Sequence, residues 1–191
     1  MYKSLKELQI HCLNCTKCEL CKTRKNVVLG VGNEESQIMF VGEGPGEKED
    51  LTGEPFVGRA GKLLDKMLEY VDLSREKNIY IANIVKCRPP KNRDPFDTEQ
   101  EACIDWLRNQ ILLIRPRLVV CLGRVAARRI IKNDFKITKE HGILYKKGNI
   151  FFMATFHPSA LLRSPQNKPA AFEDFLKIKE KIENMTMNSK V

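Results

Sequence analysis

Long apolar runs are missing from this chain. No stretch approaches the roughly 18 consecutive apolar residues of a membrane-spanning helix. The opening MYKSLKELQIHC has no apolar segment of the secretory type. A cytoplasmic location follows as the expectation, and with it free or metal-bound thiols rather than disulfides. Histidine is scarce, at three in 191 residues, which confines imidazole chemistry to His11, His141 and His157. Acidic residues are outnumbered, 24 against 33 basic ones, leaving a formal net charge of +9. That excess attracts polyanions, nucleic acid before an anionic membrane surface, although a well-solvated surface also carries such charge. A P-loop is absent too, because no Gly-Lys-Ser or Gly-Lys-Thr follows the glycine-rich stretch at 42–46.

What remains is organised as one compact domain. A 42% hydrophobic chain of this length can bury a sizeable core. The expected domain spans 1–191, with 1–25 forming an N-terminal helix (Leu5, Leu8 and Ile10 on its apolar face) and a cysteine segment, and 185–191 a frayed tail. Strand-length apolar runs occur in SQIMFVGEG, NIYIANIV, RLVVCLG and NIFFMATFHP. Helix-period stretches lie between and after them. RAGKLLDKMLEYV puts Leu63, Leu64, Met67, Leu68 and Val71 on one face, and TEQEACIDWLRNQILLI offers Thr98 and Glu101 as a capping box. The pattern predicts an α/β fold, a three-layer α/β/α sandwich around a four-stranded parallel sheet, with 26–31 and 143–147 as candidate edge strands.

Ligands of such sheets sit outside the carboxyl ends of the strands. Four segments fall there: GEGPGEKEDLTGEPFVG, NIVKCRPPKNRDP, the LGR turn and FHPSALLRSP. Gly42, Gly44 and Gly46 let backbone approach a ligand closely, while Glu47, Glu49 and Asp50 repel phosphate and favour a neutral one. Phe56 stacks on a planar ring or plugs its loop into the core. Asn83 offers a donor and an acceptor that suit a pyrimidine edge, or is satisfied by backbone. His157 donates to an oxygen gaining negative charge, or is structural. Leu161 and Leu162, read as an exposed pair beside Arg163, form a wedge for a base stack with the arginine on phosphate, or pack under the last helix.

Seven cysteines complete the inventory. HCLNCTKCELC spaces Cys12, Cys15, Cys18 and Cys21 evenly by three, so local spacing selects no pair. Cys87 precedes a rigid Arg-Pro-Pro, Cys103 lies one turn into a helix, and Cys121 reads as a buried strand thiol. Zinc and an iron–sulfur cluster are both compatible with thiols so placed.

Taken together, NCTKCEL, VGEGPGEKEDLTGEPFVGRAGKLLD, ANIVKCRPPKNR, LGRVAA and FHPSALLR resemble the family-4 uracil-DNA glycosylases, the iron–sulfur group of their superfamily. The resemblance implies a [4Fe–4S] cluster on Cys15, Cys18, Cys87 and Cys103, zinc being the lesser alternative, with Cys12 and Cys21 as extra thiols. It implies a uracil pocket of Glu43, Gly44, Pro45, Phe56, Asn83 and His157, and DNA contacts by Leu162 and Arg163. The expected partner is uracil-containing DNA, double- or single-stranded, met by a monomer. His157 is the expected catalytic stabiliser of departing uracil. Relatives in the wider superfamily have an aspartate where this chain has Gly44, so activation of water passes to another carboxylate: Glu49 first, then Glu43 or Glu47. The alternatives are a non-catalytic iron–sulfur or zinc DNA-binding module, and a small-molecule phosphohydrolase, which the missing P-loop lysine disfavours.

Overall fold

A computed structural model describes residues 2–187. Six strands form one sheet: β1 (Gly30–Gly32), β2 (Ile38–Gly42), β3 (Ile79–Asn83), β4 (Leu118–Leu122), β5 (Tyr145–Lys147) and β6 (Ile150–Thr155). Their order is β1-β3-β2-β4-β6-β5. The inner four run parallel, as the sequence predicts. The sheet extends beyond them, because β1 adds antiparallel to β3 and β5 antiparallel to β6. In the second pair Lys147 faces Ile150, so Gly148-Asn149 forms a two-residue hairpin with Gly148 at φ 58°.

The helices are α1 (Leu5–Leu13), α2 (Glu47–Thr52), α3 (Arg59–Glu69), α4 (Asp97–Ile114), α5 (Arg124–Ile130), α6 (Ile137–Glu140), α7 (Pro158–Arg163) and α8 (Lys168–Met187). Alternation along the strands sorts their side chains into two cores. Met39, Val41, Tyr80, Ala82, Val119 and Cys121 pack with residues of α1, α4 and α5. Ile38, Phe40, Ile79, Ile81, Leu118 and Val120 pack with residues of α3 and α8. Strands covered on both faces must be apolar throughout, and β2, β3 and β4 are buried at every position. Among the described residues no helix is long and apolar enough to cross a membrane.

Four local expectations change. On α1 the buried face is Leu5, Leu8 and Cys12, whereas Ile10 is exposed. Helix α4 starts one residue before Thr98, and the residue that satisfies its first turn is Glu99, whose carboxylate accepts the Phe96 N–H at 2.8 Å. Glu101 instead pairs with Arg129. Leu161 is fully buried against Phe156 and Ala171, which leaves Leu162 alone at the surface. Residues 185–187, expected to fray, continue α8 with Met185 buried; 188–191 lie outside the described residues.

The topology fixes where a ligand can go. From β2 the chain crosses to β3 on one side, then returns to β4 on the other, so the loops beyond β2 diverge and leave a crevice at its carboxyl end.

Candidate active site

The loops that leave β2, β3, β4 and β6 enclose a cavity of about 530 Å³. Glu43, Gly44, Pro45, Phe56, Asn83 and His157 all line it. Arg163 lines it as well, and Leu162, 36% exposed, stands beside it on α7. The three side chains at the centre of the sequence reading therefore meet. The Phe56 and His157 rings lie 5.7 Å apart at 34°. Asn83, at the last residue of β3, sits opposite Gly42 of β2 in the ladder. A Cβ on Gly42 would come within 2.4 Å of Asn83 Oδ1 and 2.6 Å of the Phe56 ring, so only glycine lets ring and amide close over the strand end.

Phe56 is held in place at some expense. Its φ of 56° is left-handed, a conformation that costs a non-glycine residue on the order of 1–3 kcal/mol and persists only under constraint. The constraint is Arg75, which donates to the Phe56 carbonyl at 3.0 Å and the Pro55 carbonyl at 2.9 Å while paired with Asp65 at 2.6 Å. The ring is 6% exposed, so Phe56 both joins the core and walls the cavity.

Asn83 is 2% exposed, and its Oδ1 has no hydrogen-bond partner. A buried carbonyl oxygen left unpaired costs about 1–3 kcal/mol, which a ligand N–H would recover. His157 caps α7 from outside, its Nδ1 accepting the Ser159 backbone N–H at 3.1 Å with the Ser159 hydroxyl at 2.5 Å. Burial, aided by the Arg163 charge and opposed by Glu49, pushes its pKa down to about 4. The ring is thus neutral near pH 7, and with Nδ1 accepting, its proton resides on Nε2.

The carboxylates divide the work. Glu49 Oε1 accepts the N–H groups of Val57 at 3.0 Å and Gly58 at 2.8 Å, tying the Phe56 loop to the start of α3. Glu47 is largely exposed, 3.9 Å from Arg88, and does not reach the cavity. The Glu43 carboxylate has no hydrogen bond among the described residues, although its backbone carbonyl accepts the Val85 N–H at 3.1 Å. Burial and the Asp94 charge push it up to about 7, against the pull of Arg124 and Arg163. At Gly44 a Cβ would meet Val85 Cγ2 at 2.7 Å, so an aspartate there needs Val85 to move.

Several residues escaped the sequence reading. Arg93, Asp94 and Arg124 also line the cavity, Arg124 paired with Asp94 at 2.5 Å. Their places within the NIVKCRPPKNRDP and LGR segments were the available sign. His141, unremarkable in sequence, contacts both oxygens of the fully buried Asp174 at 2.9 Å, and Asp174 also accepts from Thr155 at 2.7 Å.

A second, smaller cavity gathers thiols. Cys15, Cys18, Cys87 and Cys103 line it, joined by Cys12 and Cys21, while Cys121 is the buried strand thiol foreseen. Burial pushes the Cys12 and Cys103 thiols up to about 12, with the Lys86 charge pulling the other way. Donors surround the sulfurs: Arg24 Nη1 lies 3.3 Å from Cys87 Sγ, and the Lys86 N–H lies 3.3 Å from Cys103 Sγ. Trp106, on the same wall, has a buried indole N–H without a partner. Donors and cations with no carboxylate suit an anionic, sulfur-rich group. Among the described residues no three His, Cys, Asp or Glu side chains are grouped to hold a single metal ion.

The family model described as the uracil DNA glycosylase superfamily matches residues 29–179. The chain is 46% identical over 187 residues to the type-4 uracil-DNA glycosylase of Archaeoglobus fulgidus, covering 93% of each. It is 46% identical over 175 residues to that of Saccharolobus solfataricus, covering 87% of this chain and 81% of the relative. To that of Thermotoga maritima it is 48% identical over 156 residues, covering 81% of each. An identity this high over this much of the chain places it in the uracil-DNA glycosylase superfamily, and within that superfamily it belongs to the type-4 uracil-DNA glycosylases.

Proposed function

We propose that this protein is a DNA repair glycosylase that hydrolyses the N-glycosidic bond of deoxyuridine, releasing uracil and leaving an abasic site. The observation that supports it most is the orphaned Asn83 Oδ1 at a cavity walled by Phe56 and His157. Uracil presents a carbonyl, an N–H and a carbonyl along one edge. The Asn83 oxygen accepts the ring N–H and its amide nitrogen donates to a flanking carbonyl, an arrangement that cytosine, with an amino group there, does not satisfy.

The glycosidic bond is out of reach inside a base stack, so the nucleotide is extruded into the cavity, at a few kcal/mol of unstacking that is smallest at a mismatch. Leu162 takes the vacated space and Arg163 a phosphate. The uracil ring lies against Phe56. As the bond breaks, electrons pass to uracil and the sugar becomes cationic. The neutral His157 donates from Nε2 to the oxygen where the anion develops, at no cost of reorganisation. Water adds to the sugar, and its proton passes to a carboxylate. Glu43 suits this role better than Glu49, whose Oε1 already accepts two backbone N–H groups.

Cys15, Cys18, Cys87 and Cys103 are the residues that would hold a [4Fe–4S] cluster. Zinc held by the same thiols is the lesser alternative. When bound, the cluster supplies a cross-link between the N-terminal segment, the loop after β3 and α4, without redox turnover. The whole chain acts as one catalytic domain, and as a monomer.

The test is incubation with single- and double-stranded oligonucleotides carrying one deoxyuridine, read as alkali-labile cleavage. Cleavage at the uracil position is expected. Binding without cleavage would replace this reading with that of a non-catalytic DNA-binding module.

A further inference from the structure

Between the cavity and the thiols lies a lysine that neither site explains. Lys86 is 1% exposed and immediately precedes Cys87. Its Nζ donates to the Asn83 carbonyl at 2.7 Å and to Gln110 Oε1 at 2.6 Å, both neutral acceptors. Gln110 is fully buried and cannot turn away, because its amide nitrogen donates to the Leu29 carbonyl at 3.0 Å and the Tyr80 hydroxyl at 3.2 Å. No carboxylate pairs with Lys86 among the described residues. Lys86 instead lines the thiol cavity beside Cys12, Cys87 and Cys103.

A buried ammonium without a buried anion is unfavourable, and neutral carbonyls offset only part of that. The compensating charge therefore has to come from the sulfur side. Lys86 also touches that side directly, through its backbone N–H on Cys103 Sγ at 3.3 Å. One residue thus meets both the sulfurs and the backbone of the amide that faces the base.

We propose that Lys86 is a positioning residue shared by the two sites: its ammonium is the buried counter-charge of the cysteine centre, and the same ammonium pins the Asn83 carbonyl so that the Asn83 amide stays aimed into the cavity. The inference rests on the assignment of Asn83 to the base edge and of the cysteines to a cluster. It deepens that reading by making the charge on the sulfurs a determinant of base-reader geometry. A lysine suits the task, being a compact point charge on a flexible stem; a methionine fills the same space but holds neither partner.

The test uses the full-length protein with its iron loaded. Lys86→Met is expected to lower kcat for uracil release roughly tenfold while KM changes less than about twofold, the mark of an interaction used in the reaction rather than in binding. It is also expected to shift the reduction potential of the centre to more negative values, since removing a nearby cation disfavours the more negative, reduced form. Lys86→Arg, which keeps the charge, should return the potential toward that of the unmodified protein. A Lys86→Met protein with unchanged kcat, or with an unshifted potential, overturns the proposal. If Lys86→Met is not recovered folded, Gln110→Met removes the second acceptor of the ammonium without touching either site. It should lower kcat roughly threefold or more at unchanged iron content, and unchanged kcat there overturns the proposal as well. The unmodified protein in the same assay separates the two ideas. No uracil release from it defeats the functional reading, whereas an active parent beside unimpaired variants defeats only the role of Lys86.

Discussion

The Phe56 and His157 ring centroids lie 5.7 Å apart on the wall of the cavity, one carried on a strained loop after β2 and the other at the end of β6. Only one of the two rings is positioned by a near neighbour in sequence. Arg75 holds the backbone of Phe56, and the N–H of Ser159 orients His157. Between them and Asn83 the wall offers an apolar face, an amide and a neutral donor, which is what a leaving pyrimidine requires.

His157→Ala should slow uracil release by about 10²–10³, the usual loss for one anion-stabilising donor, with duplex affinity nearly unchanged. Single-turnover release and a separate binding titration check it. A fully active mutant would remove the donor role.

Asn83→Asp should narrow the preference for uracil over cytosine, because a carboxylic acid can present a donor or an acceptor where the amide presents one of each. Paired oligonucleotides carrying deoxyuridine or deoxycytidine read the ratio directly. An unaltered ratio would detach Asn83 from base reading.

Glu43 links activity and stability to pH in opposite directions. In the folded chain it keeps its proton up to about 7, against 4.5 as its ordinary value. Between those values the folded state binds more protons than the unfolded one, so stability falls as pH rises through the window and the loss is complete above it. Glu43→Gln should abolish this dependence and gain ~1 kcal/mol near pH 8, the figure being reduced for partial exposure. Denaturation midpoints on either side of the window measure it. The release rate should rise through about 7 as the Glu43 carboxylate forms, with no limb from His157, which is neutral above about 4. A flat profile would return the water-activating role to Glu49.

Replacing Cys15, Cys18, Cys87 or Cys103 by serine should abolish bound iron and acid-labile sulfide, whereas Cys12→Ser and Cys21→Ser should retain both. Metal and sulfide analysis of the purified variants decides. Zinc without sulfide in the unmodified protein would reassign the centre.

Leu162→Ala should weaken release from double-stranded substrate several-fold and leave single-stranded substrate nearly unaffected, since only a duplex stack needs a wedge. Parallel rate measurements on the two substrates suffice; equal losses would make Leu162 a packing residue.

The parallel core of the sheet was legible because strands buried on both faces must be apolar without interruption, and β2, β3 and β4 are. The cavity's main residues were legible because strand ends are where such sheets bind ligands, and because Phe56 and Asn83 stand out from the apolar pattern around them. The cysteine set came with the family resemblance, since equal spacing of four thiols distinguishes none of them. Residue order and composition thus determined the layers, the edge of the sheet that would be used and the chemical types gathered there.

Only the tertiary structure decided which carboxylate is left unengaged, that Leu161 turns inward, and that Cys12 joins the thiol cavity. It alone supplied the Arg75 clamp on Phe56, the Asp174 partner of His141 and the bridge that Lys86 makes from Asn83 across to Gln110. Each depends on a contact between segments distant in the chain, or on how much water a group loses on burial. Local periodicity reports neither, because both arise only when the helices close on the two faces of the sheet.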